Sequence, residues 1–310
     1  MTQVGFLGPH GTFTEQAMLS QTDLATGALV PLGSIAEVLA ATAEGDVDLG
    51  FVPIENSIEG TVNVTLDTLA FETDLLIQRE VVVGIQLNLL AAPDTTLDQV
   101  TTVVSMPHAT AQVRSFLSRK LPGVSIEAST STAEAARLVG ESATPGLAAI
   151  GTSLAAELYG LQVLAADIED HPDNATRFVV VSRSGIPAPT GHDKTTVVCF
   201  QRADRPGSLL AILQEFAARA VNLTKLESRP TKRSLGEYCF IIDFEGHLAD
   251  ELVADCLRDL KAKLADVKFL GSYPAAGHHG DTLRREAETA WRDADEWLSG
   301  LRRSIAPRSD

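Results

Sequence analysis

Basic side chains are scarce over most of this sequence. Only seven of its 25 lysines and arginines fall before residue 190 (Arg79, Arg114, Arg119, Lys120, Arg137, Arg177 and Arg183), and the formal net charge is -16. Nucleic acid and anionic membrane surfaces need a basic face, so neither is expected as a partner. No apolar run reaches the roughly 18 residues that would span a bilayer. Met1 to Leu7 lacks the basic n-region of a signal peptide. The three cysteines, Cys199, Cys239 and Cys256, are odd in number and form no CxxC pair. That excludes a disulfide scaffold and points to a reducing, cytoplasmic compartment. The seven histidines show no metal-ligand spacing, and GxGxxG, Walker and GxSxG sequences are absent. A metal-free, cofactor-free reaction or pure binding is therefore expected.

What is present is ordinary globular composition, 45% hydrophobic and 21% charged over 310 residues. A chain of that length exceeds one hydrophobic core, so two or more folding units are expected. Up to about residue 182, strand-like runs alternate with helical ones, the pattern of an α/β layer fold with mainly parallel strands. Strands read at Gln3 to Leu7, Leu49 to Ile54, Val81 to Leu90, Thr102 to Ser105, Ala148 to Ile150 and Phe178 to Ser182. Helices read at Thr14 to Ser20, Ile35 to Glu44, Thr65 to Ala70, Thr110 to Arg119, Thr132 to Val139 and Leu154 to Leu158.

Residues 184–193, rich in Gly and Pro, read as a linker. Beyond them the order is βαββαβ, a ferredoxin-like arrangement over 194–275 with Ser234-Leu235-Gly236 near its hairpin turn. In the tail, 276–310, Leu283, Ala287, Ala290, Trp297 and Leu301 have near-helical spacing. That stripe suits a docking helix or a frayed end.

Small polar residues cluster where strands give way to helices: Gly8 to Glu15 with Thr12, Ser105 to Thr110, Ser129 to Glu134 with Ser131 and Thr132, and Gly151 to Ser153. Thr12 with Glu15 and Ser131 with Glu134 fit the S/T-x-x-E capping box. Plain capping accounts for any one junction. Several at the carboxyl ends of strands suggest an anion cleft, which would offset the shortage of cations. Asn56 and Ser57 end an apolar strand and offer neutral donors there, or serve a turn. Arg177 has the fork to grip a carboxylate, or forms a structural ion pair with one of the many acids.

Taken together, Gly8-Pro9-His10-Gly11-Thr12-Phe13-Thr14, Pro53-Ile54-Glu55-Asn56-Ser57 with Gly60, Thr176-Arg177-Phe178 and Glu227-Ser228-Arg229-Pro230 resemble the prephenate dehydratase family with its ACT domain, in order and spacing over about residues 3 to 275. The resemblance implies an α/β, two-lobed, periplasmic-binding-protein-like catalytic domain over 1–183. Lobe one would span about 1–76 plus 163–183 and lobe two about 77–162, followed by the ferredoxin-like ACT domain. It implies conversion of prephenate to phenylpyruvate with loss of carbon dioxide and water, without a cofactor.

On the same resemblance Thr176 meets the departing hydroxyl, Arg177 binds a carboxylate and Phe178 walls the site. Thr12, Asn56, Ser57, Ser105, Ser131, Thr132 and Gly151 line the substrate. Gly207, Ser208, Leu209, Leu210, Glu227, Ser228, Arg229 and Pro230 bind phenylalanine between ACT domains paired in a homodimer or homotetramer. The chain departs from the family at Ser105-Met106-Pro107, where Ser-His-Pro is common, with a histidine instead at His108. Alternatives of other kinds are an arogenate dehydratase and a non-catalytic metabolite sensor.

Overall fold

The computed structural model describes residues 1–142, 144–202, 205–232, 236–277, 293–294 and 296–303. Two compact units emerge, one of Met1–Leu75 with Glu80–Ser184, the other of Leu76–Arg79 with residues from Gly185 onward. Their strands, in chain order, are β1 (Gln3–Leu7), β2 (Ala28–Leu32), β3 (Leu49–Asn56), β4 (Gly60–Thr61), β5 (Leu76–Gly84), β6 (Asn88–Ala91), β7 (Thr102–Ser105), β8 (Ser125–Ala128), β9 (Leu147–Gly151), β10 (Gln162–Ala165), β11 (Ala175–Ser182), β12 (Asp193–Phe200), β13 (Leu223–Pro230), β14 (Tyr238–Glu245) and β15 (Asp266–Pro274).

The first unit is built on two sheets, ordered β2-β1-β3-β11-β5 (with β4 on β3) and β10-β6-β9-β7-β8. The chain leaves the first sheet after β5 and re-enters it at β11, so two α/β lobes are joined by two crossings, as in periplasmic binding proteins. Strands that run straight through a lobe pair in parallel, β1 with β2 and β3, and β7 with β8 and β9. Those next to the crossings pair antiparallel, β11 with β3, and β6 with β9 and β10. The sheets are thus more mixed than a mainly parallel reading expects.

The crossings also lie later than the sequence suggests. The apolar run Val81 to Leu90 is two strands in two sheets, broken after Gly84, so lobe one extends past residue 76 to the end of β5. β10 likewise belongs to the second sheet, which moves the return past residue 163.

Helix starts follow side-chain chemistry. Thr12, Ser34 and Ser131 each accept the N–H of a glutamate three residues on, and Thr152 accepts that of Ala155. The helix expected over Thr110 to Arg119 breaks into Pro107–Ala111 and Arg114–Lys120. At the break Gln112 O accepts the Asp170 N–H at 2.6 Å, and the Asp170 carboxylate accepts the Ser115 N–H at 3.1 and 3.2 Å, capping the second helix from outside the segment. Lobe one closes around Val4, Phe6, Met18, Phe51, Phe178 and Val180. Lobe two packs both faces of its sheet, with Leu89, Val103 and Ile150 on one side and Leu90, Val104 and Ala149 on the other.

The second unit is a four-stranded antiparallel sheet, β13-β14-β12-β15, with helices Ser208–Ala217 and Glu251–Lys263, in βαββαβ order. Arg219 joins the helices by pairing with Glu215, Asp255 and Asp259. The stretch before β12 has no regular structure yet is held down. The Asp193 carboxylate accepts the N–H groups of Thr190 and Gly191, and the His247 ring meets Pro187 O at 2.9 Å. Ser234 and Leu235 of the hairpin turn, and Leu283, Ala287 and Ala290 of the tail stripe, lie outside the described residues; Trp297 and Leu301 are exposed.

All three cysteines are buried in this second unit. Burial pushes the thiols of Cys199 and Cys256 up to about 12, so both stay protonated at neutral pH. A chromogenic disulfide reagent should therefore titrate no thiol in the native protein at pH 8 and three after unfolding. Rapid reaction of the native chain would contradict this burial.

Candidate active site

The end of β3 and the start of β11 lie side by side, with Asn56 opposite Thr176. The Asn56 carboxamide has only one possible orientation. Its Oδ1 accepts the N–H groups of Ile58 and Glu59, each at 2.9 Å, so Nδ2 must face the other way. From there it donates to Thr176 Oγ1 and to Asn174 Oδ1, both at 2.9 Å, with Ala175 O at 3.2 Å. Thr176 therefore accepts at its oxygen, and its own O–H proton is left to donate elsewhere. Ser57 is engaged in the frame of this junction, since its hydroxyl donates to Asn174 Oδ1 and accepts the Ala175 N–H.

Arg177 and Phe178 do not join Thr176 at a common surface. The Arg177 guanidinium is mostly buried and meets Glu80 Oε2 at 2.5 Å and Glu55 Oε2 at 3.5 Å, with the Glu80 side chain 2% exposed. Of the two readings open for Arg177, the geometry is that of the structural ion pair. A substrate carboxylate there would be the third anion on one cation. Phe178 is 2% exposed and stacks on Phe51, centroids 5.1 Å apart and 11° from parallel. It belongs to the lobe core rather than a cleft wall, because residues alternate faces along a strand and Thr176 and Phe178 are separated by a register shift.

The loop after β1 forms another part of the junction between lobes. Thr12 spends its hydroxyl on the Glu15 N–H and Leu7 O, as a cap. Glu15, buried, accepts the Gly11 N–H at 2.6 Å and meets His10 Nδ1 at 2.6 Å. From the second lobe Thr152 donates to Gly11 O at 2.8 Å, and Tyr159 donates to His10 O at 3.3 Å. Burial raises the Tyr159 phenol above its ordinary value, which keeps it a neutral donor. A Cβ on Gly11 would stand 3.2 Å from Ala155 Cβ, and its φ of +87° also favours glycine.

The remaining expected substrate contacts sit at strand ends of the second lobe. Ser105 is fully buried and donates to Ile150 O. Ser131 caps the helix that Thr132 opens. Gly151 pairs with Asn88, and a Cβ there would lie 3.1 Å from Leu90 and 3.5 Å from Thr132 O. The helix Thr132–Glu141 starts here, and its first-turn N–H groups have no helical acceptor. His108, exposed, faces Glu59 of the first lobe at 3.4 Å. Sequence reading missed two residues of this region, Asn174 as a hub and Gln112 at the helix break. The only signal for Asn174 was its place two residues before Thr176.

In the second unit, Gly207 opens helix Ser208–Ala217 in a left-handed conformation, φ +86°, the one reason glycine is needed there. Ser208 Oγ accepts the Arg205 N–H, Leu209 packs on the core and Leu210 is 58% exposed. Glu227 pairs with Lys225 and Arg229 on edge strand β13, which ends at Pro230, while Ser228 on the same strand is exposed.

A two-lobed α/β enzyme of the binding-protein architecture, with an appended ferredoxin-like module, is the class these features define. The prephenate dehydratase family model matches residues 4–185 and the ACT domain model residues 195–262. The chain belongs to the prephenate dehydratase family. A prephenate dehydratase of Amycolatopsis methanolica is 40% identical over 307 residues, covering 98% of this chain and 99% of that protein. The crystal structure of the Arthrobacter aurescens prephenate dehydratase in complex with L-Phe superposes with a TM-score of 0.88 at 40% identity, covering 98% of this chain and 100% of the other. A solved quorum quenching acylase superposes with a TM-score of 0.78 at 30% identity, covering 88% and 98%.

Because Phe178 is core, its truncation should act on stability first. Phe178→Ala is expected to lose about 3–5 kcal/mol in urea unfolding. A loss below about 1 kcal/mol would return Phe178 to a surface role.

Proposed function

We propose that the first unit converts prephenate to phenylpyruvate, and that Thr176 is its hydrogen-bond donor to the departing ring hydroxyl. The observation that carries this is the Asn56-to-Thr176 bond of 2.9 Å, which engages the threonine oxygen as an acceptor and leaves its O–H proton available to donate. In the reaction the bond from the ring to its carboxylate breaks, and its electron pair enters the ring as the C–O bond at the far side breaks. Carbon dioxide leaves, and hydroxide takes up one proton to leave as water. Aromatisation drives the step, so the protein has to orient a dianion and stabilise charge on the departing oxygen. A threonine alkoxide is too basic to form, so Thr176 donates a hydrogen bond and the proton itself comes from solvent.

In this reading the substrate carboxylates rest on backbone N–H groups at the second-lobe strand ends, where Ser131, Thr132 and Gly151 lie, instead of on Arg177. Asn56 and Ser57 shape the first-lobe side, and Thr12 and Ser105 hold the loops that face it. Arg177 steadies β11 through Glu80 and Glu55.

The ACT domain, in this proposal, binds phenylalanine and lowers turnover by favouring one arrangement of the lobes. Support comes from the phenylalanine in the Arthrobacter aurescens relative. The Gly207 helix start and the Glu227-Ser228-Arg229-Pro230 strand are its side of that site, completed by a second ACT domain in a homodimer or homotetramer. Exposed Leu210, Leu226 and Tyr238 supply apolar surface for such pairing. A cytoplasmic location fits the buried, unpaired cysteines.

The test is to incubate the purified protein with prephenate and with arogenate, following phenylpyruvate and phenylalanine, and to repeat it with phenylalanine, tyrosine and tryptophan added. Prephenate turnover that phenylalanine inhibits is expected; folded protein that turns over neither substrate overturns the reading. Thr176→Ala should lower kcat by about 100- to 1000-fold with KM little changed. Near-wild-type kcat in that variant would remove Thr176 from the chemistry.

A further inference from the structure

Asn56, Asn174, Gln112 and Glu59 form a closed hydrogen-bonded ring at the lobe junction, three bonds between side chains and one from the Glu59 backbone N–H. Asn56 Nδ2 donates to Asn174 Oδ1 at 2.9 Å, and Asn174 Nδ2 donates to Gln112 Oε1 at 3.1 Å. Gln112 Nε2 donates to Glu59 Oε1 at 3.4 Å, and the Glu59 backbone N–H donates to Asn56 Oδ1 at 2.9 Å. Donation runs in one direction all the way round. Both ends of the amide chain fix that direction, for Asn56 Oδ1 faces two backbone N–H groups and the Glu59 carboxylate only accepts. Bonds aligned in this way polarise one another.

The ring joins the two lobes. Asn56 and Glu59 belong to the first lobe, Gln112 stands at the helix break of the second, and Asn174 lies where the chain re-enters the first sheet. Asn174 is 2% exposed, and its backbone O also accepts the Ile85 N–H, at the outward crossing. One member, Asn56, bonds Thr176 directly.

We propose that Gln112 and Glu59 are positioning residues for the reaction: they close the ring only when the lobes are in this arrangement, and the closed ring holds the Asn56 amide so that the Thr176 hydroxyl points at the departing group. This rests on the assignment of Thr176 above. To the local hold on Asn56 from the Ile58 and Glu59 N–H groups the ring adds a second one, through Asn174, that depends on a second-lobe side chain not touching Thr176. When the lobes part, the bond from Gln112 to Glu59 is the ring's weakest member and opens first.

The experiment uses the full chain and measures kcat and KM for prephenate, the melting temperature, and phenylalanine binding by calorimetry. Gln112→Met removes both the accepting oxygen and the donating nitrogen of the amide at nearly constant length. It is expected to lower kcat by about 10- to 100-fold with KM within about threefold and phenylalanine binding unchanged. Glu59→Met breaks the same edge from the exposed side and should lower kcat to the same extent. Glu59→Gln, which keeps the accepting oxygen, should restore most of that loss. The double variant Gln112→Met with Glu59→Met should be no worse than either single one.

Wild-type kcat in Gln112→Met or Glu59→Met, while Thr176→Ala is inactive, overturns the ring and leaves the assignment of Thr176 standing. An active Thr176→Ala overturns that assignment instead. If Gln112→Met does not fold, the comparison of Glu59→Met with Glu59→Gln decides: equal losses in the two count against the ring, and rescue by Gln supports it.

Discussion

The antiparallel pairing of β3 with β11 is the contact on which the rest of the first unit depends. β11 is laid down after the whole second lobe has been built, about 120 residues downstream of its partner by the separation of Asn56 and Thr176. Its register decides which side chains reach the junction and which enter the core. One step places Thr176 against Asn56; a register shift later, Phe178 stacks on Phe51. The same pairing therefore supplies an apolar anchor and a polar tip two residues apart on one strand. Long-range pairing of this kind is costly in chain entropy until the packing behind it forms. Here the packing is the lobe-one core, so a correctly folded core and a correctly aimed threonine are one event.

Charge scarcity then acquires a structural meaning. Of the seven cations before residue 190, the one nearest the junction motif is already balanced by Glu80 and Glu55. The Arg137 guanidinium pairs with Glu134 and Glu141 on its own helix. In the proposed reading, recognition of an anion in this lobe pair comes from aligned backbone dipoles and neutral amides. These carry less charge than an arginine but need no rearrangement when the ligand arrives, and they are insensitive to pH over the range in which carboxylates stay ionised.

Much of the fold was legible because several strands, β1, β7 and β9 among them, end at or beside a Gly or Ser shortly before a helix begins. β2 and β8 escaped notice for physical reasons. β2 carries Pro31, and every residue of β8 is exposed, so neither shows the buried pattern that marks a strand. The crossing after Gly84 was hidden because both sides of it are apolar. At the site, residue types and motif positions were readable, but the directions of side chains were not. The orientations of Arg177 and Phe178 are properties of a strand pairing, and the amide ring joins residues 118 and 62 positions apart. Nothing local in Gln112 distinguishes it from any surface glutamine.

The break between helices Pro107–Ala111 and Arg114–Lys120 also constrains how this lobe can vary. Each residue added to or removed from a helix turns everything after it by about 100°. An insertion or deletion on either side of Gln112 would swing its amide away from Asn174 even if every named contact residue were kept. Spacing through this segment, whose Ala109, Val113 and Leu117 enter the lobe-two core, is thus held tightly, while the identity of its outward-facing residues is free to drift.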